Sequence, residues 1–433
     1  MSTVLLYDSK NPEYVGLVEN GHFSLACQLI DQVSRSFKSD SLLERITAKN
    51  NIASLYTELA RYREASALQE SAHADVMVHD FHITPYVLAI LFCNYGVLKY
   101  RLGKYEDALS MYNNALSYEL DDAQTKAAIL MNLASLYRTL GDYVSAGSFF
   151  SLAEAEMKSA DRNPLFYLRF LRKLGSLYRS SGRYVAAEKV FTEALQYGAR
   201  HFRTGHPEQG KLYGCLAELC RSKGELDRSR SLYAKSVCTI RAAYGPNHPE
   251  TGMQLGNLAE LHRAEGDYKL AERFYVKCLS ILRSSLGATH PDYAKRLNNL
   301  AQLYRYTGRE SQAETLLRQA LTVLESTFGP NHHHVAKLMN NLSGVLLSLG
   351  QIEESETLCR RALQVRKKVL GKHHHVARSY LTLCEILQAR NQLELAKTAC
   401  QDALYILEQT LGASHQSTLE ARSKLEALSQ CTP

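Results

Sequence analysis

Between residues 291 and 329 the apolar side chains fall into two stripes of helical period. In the first, Leu300, Leu303, Tyr304 and Thr307 follow a 3-4-7 spacing, which puts them on one side of an amphipathic helix. The second holds Ala313, Leu316, Leu317, Ala320, Leu321 and Leu324, again a single apolar face. Gly308 stands between them, a residue that can take positive φ where a helix ends. The second stripe runs out near Gly329-Pro330. The pattern predicts a helical hairpin. In several places a His-Pro pair then opens the next helix, where proline at the first position gives up no amide that the helix needs.

The hairpin recurs. His206, His248, His290, His332, His374 and His415 are separated by 42, 42, 42, 42 and 41 residues, and Gly182, Gly224, Gly266, Gly308 and Gly350 keep the same step of 42. An anchor slot on each first helix is filled by Asn51, Asn94, Asn132, Lys173, Cys215, Asn257, Asn299, Asn341 and Thr382. The slot after each turn is always small: Ala26, Ala65, Ala108, Ala146, Ala187, Ser229, Ala271, Ala313, Ser355 and Ala396. A bulky side chain there would push two crossing helices apart, at a cost of about 1–3 kcal/mol. Such an array buries each unit only against its neighbours, so one long stack can replace several compact domains. The expected architecture is an all-α solenoid over residues 1–433. It comprises a degenerate hairpin at 12–40 marked by Gly21, Phe23, Ala26 and Val33, repeats over 42–412, and a closing helix at 417–429. Spacing departs from the repeat near Met77–Pro85 and Glu154–Pro164, where longer loops or bends are expected.

Composition narrows the function classes. A net charge of +7 over 433 residues is modest and gives no case for nucleic acid. The basic residues also lack the aromatic interleaving that stacks bases. No stretch approaches the length of a membrane span. Met1–Lys10 lacks the basic and apolar regions of a secretory signal. The ten cysteines have no CxxC pairing, so reduced thiols and a cytoplasmic location are expected. Cys278, Cys359 and Cys400 occupy apolar slots as small hydrophobes.

One unit carries the string His290-Pro291, Asn299-Leu300-Ala301, Leu303-Tyr304, Gly308, Ala313, Leu317, Ala320. This resembles the tetratricopeptide (TPR) consensus over nearly the whole chain. The 42-residue step, with Leu286-Gly287-Ala288-Thr289-His290-Pro291 between units, is similar to the kinesin light chain type of repeat. The coiled coil that precedes the repeats in those light chains has no counterpart in this sequence. The resemblance implies a right-handed superhelix whose first helices line a groove that holds a peptide from a partner protein.

On each first helix a stripe of 3-4-3 spacing lies opposite the packing face. Its last member is Arg in five successive repeats: Arg138, Arg179, Arg221, Arg263 and Arg305. Its first member includes Arg169, Lys211, Lys295 and Lys337, and its middle holds Asn298 and Asn340. The resemblance places this stripe in the groove. Guanidinium groups suit carboxylates because they bond in planar pairs and keep their charge, and asparagine can bond a peptide backbone as donor and acceptor. Glu218 and Glu260 precede Arg221 and Arg263 by three residues, a spacing that allows pairing within the helix. The carboxylate clamp of other TPR proteins needs Asn where this chain has Ser135, Ser176, Glu218, Glu260, Gln302 and Gly344, so that pattern is not met.

His332-His333-His334 and His373-His374-His375 occupy junctions between units and have no cysteine or acidic cluster to complete a metal site. No phosphate loop or hydrolase string occurs. The expectation is a scaffold or adaptor without enzyme activity, cofactor or metal, binding an extended and acidic peptide of another protein. The alternative is a peptide-responsive sensor acting through a separate output partner.

Overall fold

The computed structural model describes residues 28, 41–79, 83–158, 163–413 and 415–430. Nineteen helices run through them, and no strand occurs among the described residues. The chain divides into two compact units, Met1–His290 and Pro291–Pro433. In the first unit α1 (Leu42–Glu58) pairs with α2 (Tyr62–His79), α3 (Pro85–Arg101) with α4 (Tyr105–Leu116), and α5 (Ala123–Leu140) with α6 (Tyr143–Lys158). Then α7 (Pro164–Ser180) pairs with α8 (Tyr184–His201), α9 (Pro207–Lys223) with α10 (Leu226–Tyr244), and α11 (Pro249–Ala264) with α12 (Tyr268–Leu286). The second unit holds α13 (Pro291–Tyr306) with α14 (Glu310–Phe328), α15 (His333–Ser348) with α16 (Ile352–Leu370), and α17 (His374–Ala389) with α18 (Leu393–Leu411). It ends in α19 (Gln416–Gln430), the expected closing helix. Apart from residue 28, the hairpin expected at 12–40 lies outside the described residues.

Each helix packs chiefly on its hairpin partner, and each second helix also packs on the next first helix of its unit. First helices touch as well: α7 with α9, α9 with α11, and α15 with α17. They therefore form one layer and the second helices another. The small slot explains how closely a hairpin closes. Ala65, Ala108, Ala146, Ala187, Ser229, Ala271, Ala313, Ser355 and Ala396 are all 0% exposed. Where serine fills the slot its hydroxyl bonds the facing backbone, Ser229 to the Ala217 carbonyl at 2.8 Å and Ser355 to that of Ser343 at 2.7 Å. Neither leaves a buried polar group unmet. On the opposing helix the approach is tighter still, since a Cβ added at Gly175 would stand 2.5 Å from the Phe191 ring.

Both helix ends are set locally. Gly224 closes α9 with φ of 82°, letting the Glu225 amide reach back to the Cys220 carbonyl at 2.9 Å. The starts reveal a role for the junction histidines. His206, His248, His332, His373 and His415 each accept, through Nδ1, the backbone N–H two residues ahead, at 3.0–3.3 Å. This is N-capping by an imidazole, and it needs Nδ1 unprotonated. The rings also stack on the aromatic residue four positions earlier: Phe202 on His206, Tyr244 on His248 and Phe328 on His332, with centroids 4.2–4.4 Å apart. In the second triplet the capping residue is His373, one position before the His374 that the 42-residue step selects.

Candidate functional site

The first-helix stripe read from the sequence carries a set of partly buried charges. In the first unit, Arg138 sits in the last turn of α5 and donates from Nη1 to Ser180 Oγ on α7 at 3.4 Å. Three cations converge on Glu208 in the first turn of α9: Arg169 at 3.7 Å, Arg172 at 3.3 Å and Lys211 at 3.0 Å. Glu208 is only 3% exposed. Burial alone would raise its carboxyl, but Arg172, Lys211 and Arg169 outweigh that and hold it at about 2. Glu218 takes Arg221 at 2.6 Å from its own helix, Arg179 at 3.8 Å from α7, and the Tyr233 hydroxyl at 2.7 Å. Glu260 pairs with Arg263 at 3.0 Å and accepts from the Tyr275 hydroxyl. The pairing of Glu218 and Glu260 within their helices follows the three-residue spacing. The cross-helix bonds from Arg169, Arg172 and Arg179 do not appear in that spacing.

Six cationic side chains thus meet three carboxylates on this face, and Arg138 bonds a serine hydroxyl instead. Glu208 was not among the residues singled out in the sequence. Its buried place in the first turn, next to a capping histidine, is the local signal for it. A further cation, Lys173, stands on α7 in the anchor slot otherwise held mainly by asparagine.

The second unit is arranged differently. Lys295 pairs with Asp292 one turn back at 3.0 Å, and Lys337 is exposed. Asn298 and Asn340 are 4% and 3% exposed, and both are used between hairpins. Asn341 donates to Asn298 Oδ1 at 2.7 Å, and Asn340 donates to Thr382 Oγ1 at 3.1 Å. Their amides therefore align neighbouring helices, a use that the stripe pattern does not show. The Arg305 guanidinium lies over the next first helix, with Nη1 3.0 Å from where a Cβ on Gly344 would be. Glycine in that slot leaves room for it.

Four of the side chains in the slots of the carboxylate clamp are committed elsewhere. Ser135 and Ser176 bond carbonyls one turn back in their own helices, and Glu218 and Glu260 hold arginines. At the second histidine triplet the ligand nitrogens of His373, His374 and His375 lie within 4.8 Å of one another. Nitrogens around a tetrahedral zinc at about 2.1 Å are about 3.4 Å apart. The rings stack instead, with centroids 4.1–4.8 Å apart. No described helix is long and apolar enough to cross a membrane.

No curated protein matches the chain. Among solved structures, aspartyl phosphate phosphatase F from Bacillus subtilis matches with 12% identity and a TM-score of 0.52, over 87% of this chain and 96% of that one. A Rap protein complexed with Competence and Sporulation Factor matches with 12% identity and a TM-score of 0.51, over 89% and 98%. The nearly identical TPR-like repeats of a kinesin light chain-type protein from Podosopora anserina match with 21% identity and a TM-score of 0.40, over 48% and 98%. At these identities the likeness is one of fold. Family models for the tetratricopeptide repeat cover residues 45–75, 96–164, 171–203, 208–326 and 335–417. With its hairpins, small crossing slots and glycine turns, this chain belongs to the tetratricopeptide-repeat family.

Proposed function

We propose that this protein is a cytoplasmic, non-catalytic adaptor that binds an extended acidic segment of a partner protein along the first-helix stripe. The repeat fold is that of a protein-interaction scaffold, and the excess of cations over carboxylates on this face carries the finer reading. A carboxylate shared by three cations leaves net positive charge in a partly desolvated place, where a guest carboxylate replaces water to advantage. In the first unit the segment meets Arg138, Arg169, Arg179, Lys211, Arg221 and Arg263. The second unit, taken by itself, presents Lys295, Arg305 and Lys337, with Asn298 and Asn340 holding its helices in register beneath.

Arg179 and Arg305 test the reading. Arg179 is held by a single acid at 3.8 Å, so a closer carboxylate competes well for it. A fluorescein-labelled peptide of six glutamates, titrated by anisotropy against wild type and an Arg179→Ala/Arg305→Ala double variant, is the experiment. Each lost charge-assisted bond is worth about 1.5–3 kcal/mol, so a loss of at least about tenfold is expected. Unchanged affinity would remove both arginines from the account.

A further inference from the structure

The cations gathered at Glu208 offer more donors than that carboxylate can use. Glu208 Oε1 accepts from Lys211 Nζ at 3.0 Å and lies 3.7 Å from Arg169 Nε, while Oε2 accepts from Arg172 Nε at 3.3 Å. Both carboxylate oxygens are therefore engaged. At 3.7 Å Arg169 is held by charge and not by a hydrogen bond. Among the described residues neither arginine has a second ion pair, and Arg172 donates from its side chain only through Nε. The remaining guanidinium N–H groups, and those that Lys211 does not spend on Glu208, are open to a guest.

Exposure orders the cluster. The Glu208 side chain is 4% exposed, against 25% for Lys211, 28% for Arg172 and 41% for Arg169. The acid is the floor, and the cations are the rim that a guest meets first. Arg169 and Arg172 stand one turn apart on α7, and Glu208 and Lys211 one turn apart on α9, so the cluster bridges two first helices that touch. His206 fixes the floor by accepting the Glu208 amide at 3.3 Å. The repeat does not require this arrangement. The slot of Arg172 holds Gly214 and Gly256 in the next two hairpins and Asn298 and Asn340 after them, and the slot of Arg169 holds Met253 two hairpins on. Glu250, the counterpart of Glu208 in the next hairpin, accepts from Gln254 at 2.9 Å and makes no ion pair among the described residues.

Three cations against one carboxylate leave two positive charges unanswered. A single guest carboxylate would answer one of them. A phosphate monoester carries about two negative charges near neutral pH and three acceptor oxygens, which matches both the surplus and the rim. The planar fork of arginine suits such oxygens, and lysine adds a point charge. We infer that Arg169, Arg172 and Lys211, ordered by Glu208, form a site for a phosphorylated serine or threonine on the partner segment. This rests on the acidic-segment reading and names the side chain that is gripped between α7 and α9.

Three fluorescein-labelled peptides test the site, each with glutamates flanking a central serine, glutamate or phosphoserine. They are titrated by anisotropy against wild type, Arg172→Asn and Arg169→Met. Each substitution installs a residue that the repeat already uses in that slot, and circular dichroism and thermal melts check the fold. In wild type the phosphoserine peptide should bind about tenfold or more tighter than the serine peptide, and tighter than the glutamate peptide as well. In both variants that advantage should shrink to about threefold or less, while the serine peptide weakens far less. An advantage kept in full by both variants would overturn the site and leave the two arginines as ties for Glu208. Equal binding of the glutamate and phosphoserine peptides to wild type would overturn the preference for a dianion. If all three peptides bound wild type alike, the site would fall and the acidic-segment reading would stand. If none bound, both would fall.

Discussion

At the residue scale the histidines show how one side chain can do two structural jobs and expose the fold to acid. His373 caps α17 through an unprotonated Nδ1. Burial, with smaller contributions from His374 and Arg366, pushes its pKa down to about 3. In the unfolded chain the same group titrates near 6.5, so as pH falls the unfolded chain takes up the proton first. Its contribution is intact above about pH 6.5 and is lost as pH falls toward the folded value. His373→Ala is expected to cost about 1 kcal/mol at neutral pH, the usual worth of an N-cap. His373→Asn keeps an acceptor that does not titrate, so its urea midpoint should match wild type at neutral pH and fall less by about pH 4. Equal acid sensitivity in wild type and the asparagine variant would show that other groups govern the acid limb.

At the scale of the hairpin, stability is set where two helices cross. Gly175 on α7 faces Phe191 on α8, and a methyl group there would be 2.5 Å from the ring, well inside contact distance. Gly175→Ala should cost about 1–3 kcal/mol by overpacking, and adding Phe191→Leu should recover part of that in thermal melts. If the single variant melts like wild type, the hairpin is looser than this geometry requires. Much at this scale was legible in the sequence. The 42-residue step, the glycine turns and the small slots each follow from covalent geometry and crossing distance, which act on residues close in the chain. Gly175 was not legible, because a glycine inside a helical pattern carries no mark of which side chain it faces. The histidine caps were missed for a different reason. The His-Pro pair was read for its proline, since imidazole is not among the usual capping side chains. In the second triplet, moreover, three identical residues hide which one caps.

For the whole molecule the informative feature is where the charge is balanced. Second helices and the turns beside them carry paired sets: Arg230 with Asp227 and Glu265, Arg318 with Glu314 and Glu354, and Arg390 with Glu353 and Glu356. Such exposed pairs contribute little to folding, about 0–1 kcal/mol each. The first-helix stripe of the first unit is not matched. The arginine positions of that stripe could be read from the repeat. Their true partners could not, because Glu208 and Glu218 meet Arg169, Arg172 and Arg179 across hairpins, where spacing along one helix says nothing. This asymmetry makes salt the discriminating variable. Screening shortens the reach of charge from about 10 Å at 0.1 M to about 3 Å at 1 M. It therefore acts on a ligand held by several unbalanced cations far more than on a fold held by apolar crossings. Raising NaCl from about 50 to 500 mM should weaken the six-glutamate peptide by about tenfold or more, while the thermal midpoint shifts by no more than a few degrees. Salt-insensitive binding would place the affinity in apolar contacts and remove the cationic stripe from recognition.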